Sequence, residues 1–198
     1  MEKTHNIISS CSRRCALAIV TAIFAAFFAL APTSEAEAGQ FELGAGFGWL
    51  GQVNNHADWQ GFHFMVTPGY RIVDWVGVYL DEGFGGLFWK PPVGDRVSEF
   101  AGQTVINAKF FLPVGPVELW GKVGIGAFYL AWDWGDSDWG GPAGHDSQGA
   151  FAFKLGIGCT YDVTSMIGIG GNFDYLLGAF DGGNGHYLDL QLHVRFKF

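Results

Sequence analysis

From Tyr187 to Phe198 the chain reads Y-L-D-L-Q-L-H-V-R-F-K-F, with apolar and polar side chains alternating without an exception. Leu188, Leu190, Leu192, Val194, Phe196 and Phe198 share one face, and Tyr187, Asp189, Gln191, His193, Arg195 and Lys197 share the other. A period of two is the signature of a strand with two unlike faces. A run this long also exceeds the five or six residues or so of an ordinary soluble strand. A helix would scatter the same apolar residues around its circumference, so this segment cannot be an amphipathic helix.

The same alternation recurs upstream. Phe41, Leu43, Ala45, Phe47 and Trp49 alternate with Glu42 and glycines, and Phe62, Phe64, Val66, Pro68 and Tyr70 with His63, Met65, Thr67 and Arg71. Val76, Val78 and Leu80 alternate with Tyr79 and Asp81, and Thr104, Ile106, Ala108 and Phe110 with Gln103, Asn107 and Lys109. Val117, Leu119, Val123, Ile125 and Ala127 alternate with Glu118, Lys122 and glycines, and Phe151, Phe153, Leu155, Ile157 and Cys159 with Lys154 and glycines. Ile167, Ile169, Phe173 and Tyr175 alternate with Gly168, Gly170, Asn172 and Asp174. Eight strands are predicted. Connections near Ile72–Trp75, Pro113–Pro116 and Asp162–Ser165 read as tight turns. Those near Gln52–Asp58, Leu87–Ser98, Trp132–Ser147 and Ala179–Gly185 read as longer loops.

The first 38 residues differ in kind. Arg13 and Arg14 precede an uncharged apolar run, Ala16 to Ala31, then Pro32 and a polar stretch ending Ala36-Glu37-Ala38. A basic head, an apolar middle and a small-x-small end predict a secretory leader over residues 1–38, removed to leave a barrel over 39–198. The alternative, an uncleaved anchor, has a run too short to span a bilayer comfortably. Cys11 and Cys15 would leave with the leader. Cys159 would remain alone, too few for a disulfide framework. A net charge of -8 with only 11 Lys and Arg argues against a nucleic-acid partner.

An all-β chain of this kind could close in water or in a bilayer. A soluble barrel or sandwich would turn its apolar faces inward and its charges outward. Here the polar face is nearly balanced in sign and filled with many of the 31 glycines, as a crowded interior requires. The apolar face carries bulky aromatics, and Trp49, Trp59, Trp75, Trp89, Trp132 and Trp134 fall near strand ends, where an interfacial girdle sits. Short turns at one end and long loops at the other complete the pattern of an eight-stranded antiparallel up-and-down transmembrane β-barrel.

With the final strand alternating to a terminal Phe198, residues 39–198 resemble the small eight-stranded barrels of Gram-negative outer membranes, the class of the OmpA membrane domain, OmpX and OmpW. That resemblance implies an outer-membrane location with both termini periplasmic. It implies Phe196 and Phe198 as a signal read by the barrel assembly machinery, and lipid or lipopolysaccharide as the surroundings of a monomer. The chain stops at Phe198, so the peptidoglycan-gripping activity of full-length OmpA is not expected.

An eight-stranded barrel has an interior that side chains can fill. By parity the inward set holds Arg71, Lys109, Lys122, Lys154, Arg195 and Lys197 against Glu42, Asp81, Glu118, Asp174 and Asp189. Charges held away from bulk water persist when paired, so an ion-pair network closing the lumen is expected. The alternative is a narrow or gated pore lined by the same groups. Leu50, Phe128, Leu130 and Leu176 fall on the inward face near the loop end and could form an apolar vestibule. Glycine repeats such as Gly44-x-Gly46-x-Gly48 precede no helix and do not read as phosphate loops.

The loops and upper strand ends hold Asp58, Glu82, Asp95, Glu99, Asp133, Asp136, Asp138, Asp146 and Asp181 against Lys90 and Arg96, an acidic rim. Glu82 falls on the lipid-facing parity and is expected at the rim or at a bulge. Asp133, Asp136 and Asp138 are candidate Ca²⁺ ligands. Their spacing is not that of an EF-hand, so a solvated acidic loop is the preferred reading, with no metal and no cofactor. Lipid-modifying barrels offer an enzymatic precedent in an H-x-S pair with a later Glu. His145 and Ser147 match the pair, but the next acid, Asp162, falls in a turn at the opposite end, so no triad is expected. The first reading is a non-enzymatic barrel of structural or surface-interaction type. The second is a conduit for small solutes or hydrophobic compounds, as OmpW resemblance implies, and the third is a rim enzyme.

Overall fold

A computed structural model describes residues 39–53, 59–89, 97–134, 144–181 and 183–198. The expected leader lies outside them. Eight strands follow in chain order: β1 (Gln40–Gln52), β2 (Gln60–Val73), β3 (Val76–Trp89), β4 (Val97–Val114), β5 (Val117–Trp134), β6 (Gly144–Asp162), β7 (Ile167–Phe180) and β8 (Gly183–Lys197). Each pairs antiparallel with its sequence neighbours, and β8 pairs with β1, so the sheet closes with no edge. Closure satisfies every strand's backbone groups internally, the condition for crossing hydrocarbon.

Register fixes the stagger. Partners followed around the barrel run Glu42, Gly69, Tyr79, Asn107, Gly124, Lys154, Leu176, Tyr187 and back to β1 at Gln52. The return is offset by ten residues (52 − 42), which obliges the strands to tilt and sets a narrow interior. Faces alternate as the pleat dictates. Phe47, Ile106, Ile125, Ile157 and Leu192 are exposed outward, whereas Asp81, Lys154 and Asp174 are completely buried inward.

Three features depart from expectation. The connection near Ala179–Gly185 is no long loop: Phe180 pairs with Gly183, leaving two residues between β7 and β8. Asp181-Gly182 is the dipeptide that a two-residue hairpin favours. Glu82 lies at neither the rim nor a bulge. It sits mid-strand in β3 in continuous register between Val66 and Thr104, whose hydroxyl donates to its carboxylate at 2.9 Å. Trp59 is partly buried against the inward apolar cluster rather than standing in an outer girdle.

Candidate functional site

The inward face is built in layers. Nearest the short turns, Arg71 donates through both terminal nitrogens to Glu118 at 2.8 and 2.9 Å and through Nε to Glu42 at 3.1 Å. Two parallel bonds between a guanidinium and a carboxylate make the strongest ordinary ion-pair geometry. Arg195 donates to Glu118 as well, and to Asp162 at 2.7 Å, while Lys197 reaches the second Asp162 oxygen at 2.7 Å. The Tyr79 hydroxyl donates to Glu42 at 2.7 Å. Three cations thus face three carboxylates on strands β1, β2, β5, β6 and β8.

Above this layer is a four-membered ring. The Lys122 ammonium stands 2.8 Å from both Asp81 and Asp174, and the Lys154 ammonium stands 2.8 and 3.2 Å from the same two. Thr67 donates to the other Asp81 oxygen at 3.0 Å, and Asn172 donates to Asp174 at 3.0 Å. Alternating the charges around the ring lets each desolvated ion see two opposite neighbours. Gly156 makes room for it, because a Cβ there would lie 2.1 Å from the Asp174 carboxylate and 2.7 Å from the Lys122 stem.

Lys109 departs from the expected network. Among the described residues no carboxylate lies in ion-pair distance of it. Its ammonium instead sits 3.8 Å from the Trp120 ring centre and 5.1 Å from those of Tyr79 and Phe111. Inward glycines seat two of these rings: a Cβ on Gly69 would lie 2.0 Å from Tyr79, and one on Gly158 would lie 2.4 Å from Trp120. Asp189 also lacks a Lys or Arg partner in ion-pair distance among the described residues, and stands 2.9 Å from His63 Nδ1. Gln191 donates to the same Asp189 oxygen at 2.7 Å.

Toward the loop end the lumen turns apolar. Leu50, Leu87, Ala101, Val105, Phe128, Leu130, Ala152, Leu176 and Tyr187 form one buried cluster, with Trp59 and Phe180 packed on it. The Phe128 and Tyr187 rings stand 4.6 Å apart. The four residues read as a vestibule wall, Leu50, Phe128, Leu130 and Leu176, are therefore core, at 1, 1, 9 and 2 % exposure. Burying a side chain of this size stabilises by about 1.5–3 kcal/mol, enough to hold such a cluster together.

Phe198 closes the barrel seam: its amide donates to the Phe41 carbonyl at 2.9 Å and its ring lies 5.9 Å from that of Phe41. Phe196 and Phe198 both lie on the outer face. Backbone pairing of β5 with β6 includes Asp133↔His145 and ends at Trp134↔Gly144. Beyond that backbone placement, the proposed Ca²⁺ ligands Asp133, Asp136 and Asp138, and the His145 side chain, lie outside the described residues. No group of three metal-ligating side chains occurs among the described residues.

Parity alone could have found several residues that sequence reasoning missed. Asp162 reads as part of a turn, yet it ends β6 on the same inward parity as Lys154 and Thr160 and pairs with Arg195 and Lys197. Trp120 lies between Glu118 and Lys122 in the inward series of β5, and Phe111 follows Lys109 in that of β4. Tryptophan and phenylalanine read as lipid-facing by type, which hides the cage around Lys109 from a reading by composition.

A closed eight-stranded barrel with an aromatic-aliphatic exterior and a charged interior is the architecture of a small outer-membrane protein. The model of the outer membrane protein β-barrel domain matches residues 20–198, and the chain belongs to that family. Among solved structures, Neisserial surface protein A is similar at 17% identity and a TM-score of 0.62, with 83% of this chain and 100% of that one covered. The attachment invasion locus protein Ail of Yersinia pestis, solved with the heparin analogue sucrose octasulfate, is similar at 16% identity and a TM-score of 0.52, covering 80% and 99%. The N-terminal β-barrel domain of Pseudomonas aeruginosa OprF gives 20% identity, a TM-score of 0.51 and coverage of 83% and 100%. The comparison with curated proteins finds no match. Family membership places the protein in the outer membrane of a Gram-negative cell.

Proposed function

We propose that the protein is a non-enzymatic outer-membrane barrel whose lumen is closed and whose loop end acts at the cell surface, in a structural or interaction role. The observation that carries this reading is the succession of inward layers, from Arg71–Glu118–Arg195 through the Asp81–Lys122–Asp174–Lys154 ring to the Phe128–Tyr187 cluster. Long side chains held by ion pairs leave little cross-section for solute. Both ends of the described barrel, Gly39 and Phe198, lie beside the short turns, with Gly39 bonded to Arg71 and Phe198 to Phe41. We take that end as periplasmic, with the leader over residues 1–38 removed during export.

The loop-end sequence supports a surface role of defined charge. Asp58, Asp95, Asp133, Asp136, Asp138, Asp146 and Asp181 stand against only Lys90 and Arg96. That balance favours a cationic or neutral partner over a polyanion of the kind solved with the Yersinia protein. The barrel works as a monomer in lipid and lipopolysaccharide, delivered by an assembly machinery that reads the β8 end at Phe196 and Phe198.

Solute flux tests the reading. Proteoliposomes of the folded barrel should swell in small sugars, and take up a small hydrophobic dye, no faster than protein-free liposomes. Uptake several-fold above that background for either probe would overturn the closed lumen and establish a conduit.

A further inference from the structure

Among the described residues, two inward hydrogen-bond donors have no acceptor in reach, the Lys109 ammonium and the buried Arg195 Nε, and both residues border the same space. The Lys109 ammonium faces only aromatic rings among the described residues, the nearest centre 3.8 Å away, although the residue is 8 % exposed. Arg195 commits its terminal nitrogens to Glu118 and Asp162, yet its Nε is buried without a partner. Both residues line a cavity of about 40 Å³ between the turn-end layer and the ring. A single water needs about 10–15 Å³ by the same measure, so the space admits an occupant somewhat larger.

Charge decides what that occupant is. Glu42 and Asp81 also border the cavity, but Glu42 is held by Arg71 and Asp81 by both Lys122 and Lys154. Asp189, the carboxylate left over, is engaged by His63 and Gln191. Lys109 is thus a desolvated cation whose compensation is aromatic faces. Ring quadrupoles offset only part of the hydration that a buried ammonium gives up. We propose that this cavity binds a small monovalent anion, of the size and charge of chloride, that accepts from Lys109 Nζ and Arg195 Nε. A spherical ion suits donors arriving from β4 and β8, because it imposes no bond direction. Water is the rival occupant. It would also serve the unpartnered Gln191 Oε1 on the cavity wall, but it leaves the Lys109 charge unbalanced.

The test compares barrels refolded in sodium chloride and in sodium gluconate at equal ionic strength, gluconate being too large for the cavity. Once chloride exceeds its dissociation constant, each tenfold increase should raise the folding equilibrium constant about tenfold. Lys109→Met should remove that dependence. Crystals of the unaltered protein grown in bromide should show an anomalous peak within hydrogen-bond distance of Lys109 Nζ. Superimposable chloride and gluconate titrations would overturn the proposal, as would a Lys109→Met barrel that keeps the full chloride effect. If Lys109→Met fails to fold, the titrations of the unaltered protein still apply and the bromide crystals locate the ion: a peak at Lys109 supports the site, and no peak there rejects it in favour of water.

Discussion

Asp81→Asn should lower the unfolding free energy of the refolded barrel by about 3–5 kcal/mol, the cost of stripping one partner from a buried ion pair. The Asp81 side chain is fully buried and holds two ammonium groups at 2.8 Å. With an amide in its place, Lys122 and Lys154 would share Asp174 alone, and the ring would carry an excess positive charge. Urea titration of the barrel in bilayers measures the loss. The double variant Asp81→Asn with Lys122→Met restores the count of one cation to one carboxylate and should recover part of it. A single variant within about 0.5 kcal/mol of the unaltered protein, the range of ordinary surface substitutions, would show that the ring is hydrated enough to need no pairing.

Leu192→Arg should be nearly as costly for the opposite reason. Leu192 is 77 % exposed, and on the outer face of a membrane barrel that exposure is to hydrocarbon. It lies in the middle of the β8 span, opposite Phe47 and Gly171. Arginine near the bilayer midplane costs about 2–4 kcal/mol, falling toward zero near the interfaces. Val163→Arg is the matched control, because Val163 is also exposed, at 53 %, but sits in a turn beyond β6. Equal costs for the two substitutions would mean that the β8 outer face is not in lipid.

Both predictions depend on which way each side chain points, and that was the most legible property of the sequence. The unbroken alternation from Tyr187 to Phe198 fixes both faces of β8 because the period of a strand is two and a slip by one residue would invert every side chain. The same parity sends Asp81, Lys122, Lys154 and Asp174 inward without any structure. Partnership was less legible. Parity names the residues that enter the lumen but not their heights, which follow from the ten-residue stagger of closure. That stagger brings Lys122 and Lys154 between Asp81 and Asp174, and it leaves Lys109 among Tyr79, Phe111 and Trp120.

Glu82 marks another limit of pattern reading. A carboxylate on the lipid parity is costly unless something shares it, so position at the rim was the economical inference. The cross-strand neighbour Thr104, which the sequence could not align with it, supplies the hydrogen bond that lets it remain mid-strand. The glycines of the β7–β8 connection read as loop composition, although the structure makes it a short hairpin. Asp181-Gly182 between alternating segments carried the better signal, a tight hairpin.

Single-channel recording of the unmodified barrel in a planar bilayer at neutral pH tests the closed lumen most directly. Packed ion-pair layers beneath an apolar cluster predict no steady current, with at most brief flickers that increase when Lys122→Met loosens the ring. A steady, large conductance from the unmodified protein would contradict the closed lumen.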